Sequence, residues 1–101
     1  FSFLHADLYF DAFQKVMKGK RLLHQDPKRA NIEFTEAAGY LKQLINKSID
    51  NNTPNANALK LLGEMYLKGW GIEQNTQKAA KLLCAAANYG NLQAQRIVKR
   101  H

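Results

Sequence analysis

Apolar residues recur along most of the chain with the spacing of one face of an α-helix. They return every three or four positions between turn signals, and no stretch alternates convincingly as a half-buried strand does. This spacing, bounded by capping residues and glycines, predicts five helices, at about residues 4–23, 27–49, 54–68, 76–88 and from 92 onward. The expected fold class is all-α.

Residues with capping roles mark the predicted helix starts. Asp26-Pro27 and Thr53-Pro54 each place a side-chain oxygen before a proline, whose missing N–H costs nothing at the first helical position. We therefore expect the second and third helices to begin at these prolines. The asparagines expected to open the fourth and fifth helices are Asn75 and Asn91.

The turn-forming segment at residues 49–55 separates two helix pairs, and its composition favours a hinge. The pairs resemble one another when the first is moved forward by 49 positions, which indicates two copies of one unit. We expect residues 1–50 to form a degenerate or capping hairpin and residues 51–101 a repeat plus a C-terminal helix, together one domain. The matched positions are Phe13 and Leu62, Val16 and Met65, Arg29 and Lys78, Ala30 and Ala79, Phe34 and Leu83, Ala37 and Ala86, Ala38 and Ala87, and Tyr40 and Tyr89.

The second unit carries small residues at positions where two helices would pack closely. Small side chains on the third and fourth helices let the helix axes approach, and larger ones beside them fill the remaining space. Glycines in the two turns let the chain adopt positive φ. The positions that define this pattern are Ala58, Leu62, Gly63, Tyr66, Gly69, Gly71, Ile72, Asn75, Lys78, Ala79, Leu82, Leu83, Ala86, Ala87, Gly90 and Ala94.

This pattern, over roughly residues 56–95, closely resembles the Sel1-like repeat, a relative of the tetratricopeptide repeat with a longer loop between its two helices. The first unit departs from it, with Lys18-Gly19 in place of a sharper motif and a second helix that continues past Gly39. The resemblance implies a right-handed stack of antiparallel helix pairs. It also implies an inner surface, lined by the first helix of each pair, that holds a partner protein or peptide.

Carried over position by position, the resemblance places the inner surface of the second unit at Asn57, Lys60, Glu64, Leu67 and Lys68. The 49-position shift adds residues of the first helix, namely Leu8, Asp11, Lys15 and Lys18. The lysines in these two sets would make the surface basic, so we expect an acidic partner segment.

The charge of the chain agrees with an acidic partner. The net charge is +7, and the surplus lies mainly in residues 51–101, where seven Lys or Arg face two Asp or Glu. A basic cluster around the first turn could attract nucleic acid, but aromatic residues are not interleaved with it and no nucleic-acid module is recognised. A nucleic-acid partner is therefore not expected.

The sequence offers no arrangement suited to catalysis or to metal binding. His5, His24 and His101 are far apart and lack acidic residues at catalytic or ligand spacing. Cys84 has no second cysteine to pair with, and we expect a buried, inert thiol. We expect no enzyme activity, no metal and no cofactor.

Two apolar features have alternative interpretations. Trp70, between two glycines, is either an exposed anchor for a partner or a cover over its turn. The N-terminal apolar run either packs on the second helix, which we favour, or meets another copy. Its members are Phe1, Phe3, Leu4, Leu8, Tyr9, Phe10 and Phe13.

The chain has no apolar stretch long enough for a membrane span and no signal-peptide pattern. It begins with Phe1 and not Met, so we expect that it was processed or cut from a longer chain, and its compartment stays open. Two and a half units are few for a repeat array, which predicts either self-association or a longer parent chain.

Two functions follow as hypotheses. The first is a non-catalytic adaptor or scaffold that binds a partner protein. The second is a dedicated inhibitor, such as a bacterial immunity protein that blocks one toxin, since Sel1-like chains are similar to some of these.

Overall fold

A computed structural model describes residues 2–52 and 54–100 of the chain, with side chains described from residue 8 onward. Within these residues the fold is all-helical and has no strand, as the apolar spacing predicts. The five helices are α1 (Ser2–Leu22), α2 (Pro27–Asp50), α3 (Ala56–Lys68), α4 (Thr76–Asn88) and α5 (Leu92–Arg100).

Four of the helices begin at a capping side chain. The oxygens of Asp26, Asn55, Asn75 and Asn91 each accept a hydrogen bond from the backbone N–H three residues later, at N···O distances of 2.8 to 3.2 Å. Each bond satisfies one of the amides that a helix leaves without a partner in its first turn. The predicted caps at Asp26, Asn75 and Asn91 are confirmed.

The predicted start of the third helix is wrong by two residues. Helix α3 begins at Ala56, after the cap Asn55, and not at Pro54; Thr53 lies outside the described residues. The reason is a second bond at the cap, in which the backbone N–H of Asn55 donates to Oγ of Ser48 at 3.1 Å. Ser48 is buried and its hydroxyl also donates to the carbonyl oxygen of Ile45 at 2.8 Å. The end of α2 therefore fixes the residue at which α3 starts.

Helices α1 and α2 pack closely because α1 has a glycine at their contact. A Cβ atom at Gly19 would lie only 2.6 Å from the ring of Phe34, so this site has no room for a side chain. Around it, Ala12, Val16 and Ala30 are fully or almost fully buried. Ion pairs on the surface of this hairpin join later residues of α1 to earlier residues of α2, as expected for helices that run in opposite directions.

Helices α3 and α4 form the second hairpin, and small residues lie at its centre. Ala58, Gly63, Ala79 and Ala86 are buried. A Cβ atom at Gly63 would be 3.0 Å from Cγ of Leu83, so the two helices touch here. Large side chains at these sites would force the helices apart.

Substitution of Gly63 by leucine is expected to lower the free energy of unfolding by about 1 to 3 kcal/mol, because the added side chain overpacks the contact with Leu83. Urea denaturation would measure the loss. Gly39 supplies the control: it is exposed within α2, and a Cβ atom there would meet no other atom within 4 Å. Gly39→Leu is expected to be neutral or stabilising, since leucine favours a helix more than glycine does. An equal loss in both variants would contradict the proposed contact.

The loop between α3 and α4 joins the two hairpins. The ring of Trp70 stacks on the ring of Phe34, with centroids 5.3 Å apart and planes 5° from parallel. Gly71 adopts φ +68°, and a Cβ atom there would lie 2.6 Å from Cβ of Phe34. Gly69 and Gly90 also have positive φ, so the conformations predicted for all three glycines are confirmed.

The molecule is 19 Å thick in its shortest dimension, which corresponds to two layers of helices.

Candidate partner-binding surface

The residues of α1 that we expected on an inner surface lie instead beside α2. Asp11, Lys15 and Lys18 line a shallow depression together with Glu33 and Tyr40 of α2. Lys18 Nζ is 3.9 Å from a carboxylate oxygen of Glu33, and Lys15 Nζ is 3.8 Å from the other. The positive charges of Lys15 and Lys18 are therefore already paired within the chain.

Lys15 is the more firmly held of the two lysines. Its Nζ donates a hydrogen bond to Oε1 of Glu36 at 3.1 Å and lies 5.9 Å from the ring centre of Tyr40. The hydrogen bond to Glu36 raises the pKa of Lys15, and the negative charges of Glu36 and Glu33 raise it further. Lys15 stays charged, and its charge belongs to the α1–α2 hairpin.

The 49-position shift holds on α1 only in part. Between the second helices, Ala30 and Ala79 are equally buried and Phe34 corresponds to Leu83. On the first helices, Val16 and Met65 are both buried, but Phe13 is exposed where Leu62 is buried. The shift also matches Gly19, which contacts Phe34, with Lys68 and not with Gly63, which contacts Leu83.

A stripe of large apolar side chains on α1 is exposed. Phe10 is 57%, Phe13 42% and Met17 39% exposed, and the three residues follow the spacing of one helix face. We expected the N-terminal run to pack on α2, and this is wrong for Phe10 and Phe13; the side chains of residues 1–7 lie outside those described. We call these three residues the α1 stripe.

The residues predicted on α3 share the side of the helix that is not buried in the core. Asn57 and Lys68 are exposed, and the three others are partly exposed. Lys60 Nζ is 2.8 Å from Oε1 of Glu64, one turn later on the same helix. Asn57 accepts a hydrogen bond from Nδ2 of Asn91 at 2.9 Å, so it faces the start of α5. We call Asn57, Lys60, Glu64, Leu67 and Lys68 the α3 face.

Tyr9 lies at the edge of the α1 stripe. Its ring stacks on Phe13 with centroids 6.3 Å apart and packs against the hydrophobic core. Partial burial raises the pKa of Tyr9, and the negative charge of Glu64 on α3 raises it further.

Trp70 covers its turn and is not a free anchor. One face of its indole is taken up by the stack on Phe34, and Nζ of Lys20 lies 5.1 Å from the ring centre. Residues of both hairpins thus hold the ring. Of the two interpretations of Trp70, the structure supports the structural one.

Cys84 is exposed, and our expectation of a buried thiol is wrong. It lies on α4 in an open groove of about 440 Å³ at the C-terminal end of the molecule. The side chains around it are mostly apolar. We call this site the C-terminal groove; it is lined by Leu67, Thr76, Ala79, Ala80, Leu83, Cys84, Ile97 and Val98.

Of the three histidines, only His24 is among the described side chains, and it is exposed at the α1–α2 turn; His5 and His101 lie outside those side chains. Among the side chains that are described, His, Cys, Asp and Glu form no group of three or more that could hold a metal ion. In the same part of the chain, no helix combines the length and apolar character needed to cross a membrane.

Sequence reasoning missed both the α1 stripe and the C-terminal groove. The spacing of Phe10, Phe13 and Met17 was visible, but it could equally have meant a face buried on α2. The groove depends on where α5 lies, which local spacing does not determine.

Comparison with family models, curated proteins and solved structures gives no match to this chain.

Proposed function

We propose that this chain is a non-catalytic protein-binding module, built as a Sel1-like stack of helix pairs. One contact supports the stack, because it joins the first helix of the second pair to the residue that caps the next helix. Nδ2 of Asn91, before α5, donates a hydrogen bond to Oδ1 of Asn57 on α3, 2.9 Å away. Neighbouring first helices are the arrangement that the resemblance implies.

The observation that carries the proposal is the α1 stripe. Three large apolar side chains exposed on one helix face are typical of a surface that a partner covers. The chain has a net charge of +7, so an acidic partner gains long-range attraction. We propose that the partner presents an acidic amphipathic helix, whose apolar side meets the stripe.

A synthetic peptide tests this function. The probe is a fluorescein-labelled amphipathic helix with leucines on one side and glutamates beside them, and the control is a permuted peptide of identical composition. Fluorescence anisotropy is expected to show binding of the amphipathic peptide at least about tenfold tighter than binding of the permuted one. Added salt should weaken the binding. Equal affinities would mean that only net charge is recognised and would contradict the proposal.

Substitution of Lys60 by alanine tests the α3 face. The variant is expected to keep its thermal midpoint, because an ion pair this close to solvent contributes little to stability. The affinity for the peptide should fall roughly threefold to tenfold, since the Glu64 carboxylate that Lys60 neutralises is left unpaired and repels an acidic partner.

Lys47→Ala is the matched control, because Lys47 is exposed near the end of α2 and its removal changes the net charge equally. The affinity of this variant should change much less. Equal losses from both lysines would show that the α3 face plays no specific part.

A further inference from the structure

A pocket of about 430 Å³ lies between the two hairpins, where residues of α2, α3 and α4 line it together. Its floor is apolar, since Ile45 and Leu62 are buried and Leu82 is partly buried beside them. Its rim is polar and basic. We call this site the α2–α4 pocket; it is lined by Lys42, Ile45, Asn46, Leu62, Tyr66, Lys78, Lys81 and Leu82.

Three lysines supply the charge of the pocket, and they come from two different helices. Lys42 belongs to α2, whereas Lys78 and Lys81 belong to α4. The lining residues include no Asp or Glu. Unlike the lysines of α1, these three form no ion pair with any side chain that the structure describes. Three cations around one pocket repel each other, so a bound anion would be attracted by all of them.

Tyr66 and Asn46 complete the wall of the pocket. Nζ of Lys78 lies 5.5 Å from the ring centre of Tyr66, so this ammonium group is held over the ring. The ring itself packs against the hydrophobic core. Asn46 is exposed, and its amide group can donate hydrogen bonds to an anion. The pocket therefore fits a ligand that has both an apolar body and an anionic group.

A phosphate monoester fits these donors better than a carboxylate does. It carries about two negative charges at neutral pH and offers three acceptor oxygens, enough for ammonium groups from both helices to contact it at once. The apolar floor favours an aromatic ring next to the phosphate, because the ring would cover apolar surface that water now contacts. A phosphate on the short stem of phosphoserine would leave that floor bare.

The open shape of the pocket indicates that the anion is carried by a larger chain. A small free ligand is usually enclosed over most of its surface. Here all three lysines of the rim are exposed, so a bound group would stay open to solvent on one side. A side chain attached to a partner protein needs to bury only its end.

We infer that the α2–α4 pocket binds a phosphotyrosine side chain of the partner protein, with its ring on the apolar floor and its phosphate among the three lysines. The inference rests on the proposed function as a protein-binding module. It adds a phosphorylated residue to what the partner presents, at a site separate from the α1 stripe.

A phosphotyrosine peptide tests the pocket. The probe is a fluorescein-labelled peptide of glycine and serine with one phosphotyrosine, and the controls carry tyrosine or phosphoserine at the same position. Fluorescence anisotropy is expected to show that the phosphotyrosine peptide binds at least about tenfold tighter than either control. Phenyl phosphate should displace it at lower concentrations than inorganic phosphate, because only phenyl phosphate covers the apolar floor.

Substitution of Lys42 by glutamine locates the binding. The affinity for the phosphotyrosine peptide should fall roughly threefold to tenfold, since one of the three cations is lost. Lys28→Gln is the matched control, because Lys28 is also exposed on α2 but lies about 21 Å away along the helix. Its affinity should change much less. Both variants should keep the thermal midpoint of the natural chain, since both sites are exposed.

The outcomes separate this inference from the proposed function. Binding of the amphipathic helix without binding of the phosphotyrosine peptide would overturn the pocket and leave the proposed function standing. Absence of binding by both peptides would overturn both proposals. Equal affinities for phosphotyrosine and phosphoserine, or equal losses in the two lysine variants, would show that net charge alone is recognised and would overturn the inference.

Two further probes test the source of the phosphate. Phenyl phosphate that binds more tightly than the peptide would assign the pocket to a free small molecule. Vesicles of phosphatidylcholine and phosphatidylinositol phosphate that displace the peptide, when phosphatidylcholine vesicles do not, would assign it to a lipid headgroup. Either result would overturn the inference of a phosphorylated partner protein.

Discussion

Replacing Phe34 by alanine is expected to lower the free energy of unfolding by about 3 to 5 kcal/mol, the largest loss from any single truncation in this chain. Phe34 is only 2% exposed, and its ring lies between Gly19 of α1 and the indole of Trp70. Removal of the ring leaves a cavity that neither hairpin can close alone. Urea denaturation followed by circular dichroism would measure the loss.

Phe10→Ala is the control for this substitution, since the same side chain is removed from a site that is 57% exposed. Its effect on stability should be within about 0.5 kcal/mol. A loss below about 1 kcal/mol in Phe34→Ala would contradict the position of Phe34 between the hairpins.

Substitution of Gly71 by alanine is the second large effect expected, at about 2 to 5 kcal/mol of lost stability. Two costs add at this position. The backbone has φ +68°, which an L-residue adopts only with strain, and the new Cβ would lie 2.6 Å from Cβ and 2.7 Å from the backbone carbon of Phe34. Because part of the obstacle is backbone, a change of rotamer cannot relieve it, and the loop must move away from α2.

Gly90→Ala separates the two costs, because Gly90 has φ +100° but a Cβ atom there would meet no other atom within 4 Å. It should show only the conformational cost, about 1 to 2 kcal/mol. Thermal denaturation of both variants checks the difference. Equal losses would mean that strain alone accounts for Gly71 and that the loop does not rest on Phe34.

Features with a local cause could be predicted from the sequence. A capping asparagine needs only its own oxygen and the amide three residues later, and this holds at Asn75 and Asn91. Positive φ at Gly69 and Gly71 likewise follows from the tight turn that the chain must make there. The five helices and the small residues at the contact of α3 and α4 could be predicted for the same reason, because they also follow from local spacing in the sequence.

Features that depend on distant residues could not be predicted in this way. The start of α3 is set by Ser48, seven residues before Asn55, and the side chain of Trp70 is held by Phe34 of the other hairpin. The exposure of Cys84 depends on how much of α4 is covered by α5. A single-sequence repeat match also assumes one register for both helices of a pair, and α1 follows it only in part. The residues nominated on α3 share one partly exposed side of that helix, whereas Asp11, Lys15 and Lys18 on α1 lie beside α2.

Ser48 changes the interpretation of the segment between the two hairpins. Its composition favours a hinge, yet swinging one pair away from the other would pull the amide of Asn55 from the Ser48 hydroxyl. That would remove one of the two hydrogen bonds of a buried hydroxyl. The bond therefore opposes the hinge motion that the composition of the segment suggests. For the partner proposed above, the module is then largely ordered in advance, and little binding free energy is lost to ordering it.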